Sequence, residues 1–317
     1  LSNRLIGLIG DGSQAGRIKS ALKLEGLHPD CIFKPFLRDD DTGITDNFDE
    51  ILACDIIFLC SPNDTHFSYL NTLIGGRYIF CEKPPGRTVE DISMVIEIEK
   101  QYPHLKLKYG FNHRYHESVQ DALRIVKSKE LGKVINIKGI YGKSMLVTFD
   151  QTDWRTRREI SGGGVLIDNG THSLDIAKFL LGGVDSIQAV HGAQIQNISV
   201  EDSVKVFFKS IGEVLGSIDL SWSINKNIDD YVSIYGTEGS LSIGWSQSYY
   251  IIRDQSEKVQ FGSGYNKREA FLKQHRHFID CVRGVSKPII SMEDGFNSIK
   301  MISSAYKSMN EKKWIKL

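Results

Sequence analysis

Over residues 1–115 short apolar runs alternate with longer polar stretches. The runs Leu5–Ile9, Cys31–Phe36, Ile56–Cys60, Tyr78–Cys81 and Lys106–Gly110 are rich in Ile, Leu, Phe and Cys and mostly do not alternate. Strands buried on both faces read this way, so the segment predicts a parallel sheet built from βαβ units. Arg17–Leu24 and Ile92–Lys100 carry helical spacing between the runs, and Thr88 with Asp91 forms a capping box with Asp in the place of Glu. Between Arg38 and Asp55 only one short helical stretch, Asp49–Ala53, is available, which predicts an abbreviated crossover.

After Asn112 the period changes. Val119–Lys127 presents Val119, Leu123 and Val126 on one helical face. Alternating strands follow at Val134–Tyr141, Ile187–Val190, Val204–Phe208, Val214–Ser221, Tyr231–Tyr235 and Leu241–Ile243, with Gly236-Thr237-Glu238-Gly239 as a hairpin turn. A helix at Gly170–Leu181 interrupts them, and two more close the chain at Glu269–Val282 and Glu293–Met309. Period-two alternation predicts an antiparallel sheet with one face under helices and the other free, and a large free face is a common oligomer surface. These readings place one domain at 1–115 and a second at 116–317, with no repeat, low-complexity segment or Pro/Gly/Ser linker between them.

At 317 residues the chain is long enough for two domains and for burying roughly three quarters of its unfolded surface. Lys+Arg and Asp+Glu both number 39, so there is no basic excess to suit nucleic acid or an anionic membrane. No segment approaches the ~20 apolar residues that span a bilayer, and Leu5–Ile9, followed by Asp11, is too short for a signal peptide. Cys31, Cys54, Cys60, Cys81 and Cys281 form no C-x-x-C pair, and the odd count points to a reducing, cytoplasmic setting.

The candidate chemistry begins at Gly10-Asp11-Gly12-Ser13-Gln14-Ala15-Gly16, between the first strand and the first helix. The first glycine permits a tight turn, the second lets backbone approach a pyrophosphate, and a small third residue lets helix rest on strand. Ala15 fills that third place, or Gly16 does if the loop is one residue longer. Gly10, Gly12, Ser13, Gln14 and Ala15 are therefore the expected dinucleotide contacts. Arg38 beside Asp39-Asp40-Asp41 suits either an NADP phosphate or the ribose hydroxyls of NAD, and a solvated acidic turn fits equally well. Ser61-Pro62-Asn63 ends the third strand, the edge where ligands sit in such sheets, and Asn63 or Asp64 can also serve as an N-cap. Lys83, just past the fourth strand, suits a donor to a reacting oxygen or an ordinary surface lysine.

Gly162-Gly163-Gly164 precedes Asp168, Gly170, His172 and Asp175. Four residues apart, Asp168 and His172 share a helix face, and an imidazole titrates near working pH. Hydride transfer at a carbinol needs such a proton carrier together with a donor at the oxygen. His113-x-x-His116 and His275-x-His277 lack a cysteine or acid at ligand spacing, so no metal is assigned.

In order and spacing these motifs, with Gly110-Phe111-Asn112-His113-Arg114 and Trp154-Arg155, resemble the Gfo/Idh/MocA family of NAD(P)-dependent oxidoreductases over nearly the whole chain. The resemblance implies an α/β protein: an N-terminal Rossmann parallel sheet plus a C-terminal α/β domain with a large open, mainly antiparallel sheet. That sheet would join a homodimer or homotetramer. The activity implied is hydride transfer between NAD or NADP and a hydroxyl or keto carbon of a sugar, polyol or nucleotide-linked sugar. The resemblance assigns Lys83, Asp168 and His172 to the substrate oxygen. It sets Ser61, Pro62 and Asn63 against ribose and nicotinamide, with His66 opening the next helix and Glu82 lining the cofactor pocket. It also brings Trp154 and Arg155 toward the cofactor and puts a cis peptide before Pro84. Asn112, Arg114 and Arg157 remain as substrate-side candidates; Arg157 would suit a phosphorylated or carboxylated substrate, whereas Arg158 reads as solvated. Two departures are the short stretch after the second strand and the possible extra residue in the glycine loop. A dinucleotide-binding sensor and NAD-dependent glycoside cleavage are the rival readings.

Overall fold

The computed structural model describes residues 4–73, 75–101, 106–142, 149, 152–224, 229–255 and 257–317. Near the N-terminus the apolar runs become β1 (Ile6–Ile9), β2 (Cys31–Phe33), β3 (Ile56–Leu59), β4 (Tyr78–Cys81) and β5 (Lys106–Tyr109). They pair in the order β2-β1-β3-β4-β5, all parallel. Helices α1 (Ser13–Leu24), α2 (Phe48–Leu52), α3 (Asn63–Leu73) and α4 (Val89–Gln101) connect them. Every residue of β1 and β3 is buried, which is why those strands do not alternate. The Thr88–Asp91 box closes as expected, Asp91 N donating to Thr88 Oγ1 at 3.1 Å and Thr88 N to the Asp91 carboxylate at 3.3 Å.

β2 ends three residues earlier than the apolar run suggested. Pro35 has no N–H for a ladder, and the chain leaves at Lys34, which donates to the Thr45 carbonyl at 3.0 Å while Thr45 N donates to Ile32 at 2.8 Å. The abbreviated crossover then has room only for α2, capped by the Asn47 side chain.

In the remainder, α5 (Glu117–Ser128) and β6 (Val134–Gly142) lead to a short α6 (Arg158–Ser161), a π-helical turn at Leu166–Gly170 and α7 (Thr171–Leu181). Strands β7 (Val184–His191), β8 (Ser203–Ser210), β9 (Leu215–Ser221), β10 (Asp230–Gly236), β11 (Gly239–Gly244), β12 (Ser248–Ile252) and β13 (Val259–Phe261) follow. The chain closes with α8 (Lys267–Val282), α9 (Met292–Glu311) and β14 (Ile315–Lys316). The sheet order is β13-β12-β11-β10-β6-β9-β8-β7-β14, and among the described residues only the β6–β9 pairing is parallel. Thr237-Glu238 makes the expected hairpin between β10 and β11.

One face of this sheet lies under α5, α7 and the later turns of α9, where Val119, Leu174, Ile176 and Ile302 meet Val206, Phe208, Ile218 and Ile234. Alternation sends Lys205, Phe207 and Lys209 of β8 to the other face. On that face Leu215 is 56% and Tyr235 42% exposed.

The chain divides into two compact units, Leu1–Asn112 with Arg268–Ile299, and His113–Lys267 with Lys300–Leu317. The segment Arg268–Ile299 thus belongs to the first unit. There Phe278, Ile279 and Val282 of α8 join Ile6, Leu8, Ile18, Phe58 and Phe80 in one core. Lys108 of β5 is 1% exposed with its Nζ 2.5 Å from His277 Nδ1 of α8, and burial pulls its pKa down to about 7.

Candidate active site

Within the first unit, three turns at the carboxyl ends of β1, β3 and β4 are joined to one another. Gly10 adopts φ +101°, and a Cβ there would come 3.0 Å from the Cys60 carbonyl and 3.1 Å from Ser61 N. Only glycine allows this close approach. Gly12 caps α1, whose amino end carries no side-chain cap and no acid in its first turn, and nothing lies within 4 Å of a Cβ placed on it. Exposed amides at an uncapped helix start, with open space before them, suit a pyrophosphate. Ala15 is fully buried whereas Gly16 is exposed with open space, so Ala15 is the small residue that packs under this turn. Ser13 opens α1 and is exposed, and Gln14 accepts from Arg17 at 2.6 Å.

The second and third turns meet at His66. Its ring is 1% exposed, with Nδ1 2.7 Å from the Pro84 carbonyl and Nε2 2.9 Å from the Ser61 carbonyl, and burial lowers its pKa. His66 therefore lies between the Ser61-Pro62-Asn63 turn and the Lys83–Pro84 turn, a ring nitrogen beside a backbone oxygen of each, and the neutral ring donates to one of the two. The Lys83–Pro84 peptide is cis, as the resemblance implied. Lys83 itself is half-buried between the buried Glu82 and Pro84. A Cβ on Gly110 would lie 2.7 Å from Glu82 Oε2, so the glycine after β5 makes room for that carboxylate. Asn63 is 8% exposed at the start of α3, and Asn112 is 2% exposed with no hydrogen bond on its amide nitrogen among the described residues.

Lys34 occupies the first position past β2, beside the turn where Gly10 N donates to Phe33 O at 3.0 Å. Its Nζ lies 2.7 and 2.6 Å from the two Asp41 oxygens, and Arg38 N donates to the same carboxylate at 2.8 Å. Hydrogen bonds from Lys34 and then Arg38 hold the Asp41 carboxyl below its usual range. The Arg38, Asp39 and Asp40 side chains are exposed. Sequence reading stopped at Arg38 and placed Lys34 inside the second strand; Pro35, which cannot donate to a ladder, was the available signal that the strand ends before it.

In the second unit the triple glycine has a packing explanation. Gly162 ends α6 at φ 85°. A Cβ on Gly163 would overlap the Tyr306 hydroxyl, and one on Gly164 would overlap the Glu201 carbonyl oxygen. Glu201 is 5% exposed, and its Oε1 accepts from Gly164 N at 2.8 Å, Leu166 N at 3.2 Å and Tyr306 Oη at 2.6 Å. That carboxylate and the burial of its ring push the Tyr306 pKa well up, burial first. The turn it fixes runs into Leu166–Gly170, whose π-helical winding is a form often found at functional sites. Asp168 and His172 are partly exposed there, while Ile167, Asn169, Gly170, Thr171 and Ser173 around them are buried.

Neighbouring side chains brace this segment. Asn169 accepts from the Trp222 indole at 2.7 Å. Arg114 and Asp175 form a buried two-pronged ion pair, at 2.8 and 2.5 Å, and the guanidinium lies 4.8 Å from the Phe179 ring centroid. The charged edge of Arg114 is thus engaged by α7. Trp154 and Arg155 lie on a 3-10 turn capped by Asp153, whose carboxylate also takes Arg155 Nη1 at 3.2 Å. Arg157 is exposed and 3.9 Å from Glu159.

Two family models match the chain: an oxidoreductase family with an NAD-binding Rossmann fold over residues 34–110, and the GFO/IDH/MocA C-terminal domain over residues 119–242. The chain is 27% identical to scyllo-inositol 2-dehydrogenase (NAD(+)) of Bacillus subtilis over 247 residues, 75% of this chain and 70% of that protein. It is 22% identical to D-xylose 1-dehydrogenase [NADP(+)] of Haloarcula marismortui over 282 residues, 84% of this chain and 75% of that protein. Among solved structures, levoglucosan dehydrogenase in complex with NADH shares the fold at a TM-score of 0.88 and 18% identity, covering 99% of this chain and 98% of that one.

Proposed function

The chain belongs to the Gfo/Idh/MocA oxidoreductase family, and we propose that it transfers a hydride between NAD or NADP and a hydroxyl- or keto-bearing carbon of a sugar or polyol. The observation that carries this reading is the first unit's joined turns: an uncapped α1 amino end, Gly10 against Cys60, and His66 between Ser61 and Pro84. The relatives that act on inositol and xylose support a polyhydroxylated substrate. The bound nicotinamide supplies or accepts the hydride.

This chain's residues do the rest. Amides of Gly12, Ser13 and Gln14 receive the pyrophosphate. Lys34, Arg38 and Asp41 set the preference at the adenosine ribose. Lys83 donates to the reacting oxygen, His172 carries its proton, and Asp168 orients the imidazole. Trp154, Arg155, Asn112 and Arg157 complete the binding surfaces. Glu201 and Tyr306 act through the backbone of the turn before Asp168. The free sheet face around Leu215 and Tyr235 supports self-association as a homodimer or homotetramer. Among the described residues no helix is long and apolar enough to cross a membrane, and the five free cysteines suit a cytoplasmic setting.

The test is nicotinamide absorbance with a panel of aldoses, inositols and nucleotide-linked sugars. Lys83→Ala and His172→Ala should each lower kcat at least ~100-fold, and either retaining full turnover would refute its role. Tight cofactor binding without turnover on any member of the panel would favour a sensor instead.

A further inference from the structure

Beside His172 stands a second imidazole that the roles above leave unused. His113 is 2% exposed, and its ring centroid lies 4.4 Å from that of His172 at a tilt of 39°. Its Nε2 is 2.6 Å from the Tyr141 hydroxyl of β6 and 3.3 Å from the Tyr265 hydroxyl. Burial drives the Tyr141 pKa well above its ordinary value, so the phenol keeps its proton. When the Tyr141 hydroxyl donates to Nε2, that nitrogen carries a lone pair and His113 is neutral with its hydrogen on Nδ1, and the burial of the ring favours this uncharged form. A second proton would set two cationic rings 4.4 Å apart.

We propose that His113, fixed by the Tyr141 hydroxyl, is a positioning residue for His172: it walls one side of that ring and leaves His172 as the member of the pair that takes up a proton. The proposal rests on His172 being the proton carrier. The other groups facing the pair within this unit are His116, whose ring centroid is 5.3 Å from that of His113, and Tyr265 at 5.4 Å. Asp168 acts on Tyr141 through its charge, and the buried Tyr231 phenol, its ring centroid 6.0 Å from that of Tyr265, is held in its protonated form. Arg114 and Asp175 neutralise each other.

The experiment pairs histidine NMR with kinetics on the intact protein. Long-range proton–nitrogen correlation spectra of nitrogen-15-labelled protein give the tautomer and charge of each imidazole against pH. The wild type should show His113 as the Nδ1–H tautomer, without titration across the active pH range. In Tyr141→Phe, His113 gains a titration. A proton on His113 opposes one on His172, so the acid limb of kcat/KM should move to lower pH by about half a unit or more. His113→Phe/Tyr141→Phe keeps a ring beside His172, strands no hydroxyl and should retain the wild-type limb. A folded Tyr141→Phe protein whose His113 still does not titrate, and whose pH profile overlays the wild type, overturns the proposal. Full turnover in His172→Ala sinks the proton-carrier reading instead, and the NMR titration still decides whether Tyr141 holds His113 neutral.

Discussion

Gly164→Ala tests whether the triple glycine is a packing requirement. The new methyl would overlap the Glu201 carbonyl oxygen and sit 2.9 Å from Glu201 C and N, all backbone atoms that cannot rotate away. Overpacking of this kind costs about 1–3 kcal/mol. Moving Glu201 also loosens its acceptance from Gly164 N at 2.8 Å and from Tyr306 Oη at 2.6 Å, and bonds to a charged acceptor contribute about 1.5–3 kcal/mol each. If the displacement half-breaks those two, the total is about 4 kcal/mol, or a melting point lower by roughly 10 °C. All four tryptophans, Trp154, Trp222, Trp245 and Trp314, fall in the second unit, so urea unfolding followed by indole fluorescence reads the unit concerned. Gly16→Ala is the control: it lies on α1 with nothing within 4 Å of the added Cβ, and it should stabilise by ~0.5–1 kcal/mol in far-UV dichroism. A Gly164→Ala protein within ~1 kcal/mol of wild type would refute the steric argument.

Two further substitutions probe buried charge. Asp175→Asn should destabilise by about 3–5 kcal/mol because it strands the Arg114 guanidinium, whereas Arg114→Met/Asp175→Leu should recover most of that loss; equal losses in urea titrations would show that the charge is not the cause. Lys108 is neutral in the folded protein above about pH 7 and protonated when unfolded up to about 10.5. The unfolded chain binds the extra proton in that window, so this residue makes stability rise with pH there, by at most roughly 5 kcal/mol. Lys108→Met should be more stable than wild type near pH 7 and lose the advantage toward pH 10; a pH-independent difference in denaturant midpoint would contradict this.

Much of the fold could be read from period alone, because β1 and β3 are buried on both faces and β8 alternates strictly. What was missed had little or no pattern to show. β14 is two residues long, and β12 offers Ser-Tyr-Tyr-Ile-Ile with most side chains half-buried. The glycine turn and Lys83–Pro84 were legible because backbone constraints demand those residue types locally. Glu201 and Tyr306 were not, since their contacts join positions 37 and 105 residues apart, and a single buried carboxylate leaves no periodic trace. Sequence reading listed His66 with the cofactor contacts; what its neighbours in the chain did not reveal was that two carbonyls, from Ser61 and Pro84, lie beside its ring nitrogens.

The nucleotide-facing unit is written in two instalments, 1–112 and 268–299. On the ribosome, Phe58 and Phe80 emerge long before Phe278, Ile279 and Val282, the side chains that cover them. The first instalment must therefore wait, sticky and incomplete, while the entire middle of the polypeptide is translated. A fragment ending at residue 112 should yield aggregate, and transplanting this module into another protein requires carrying both stretches together.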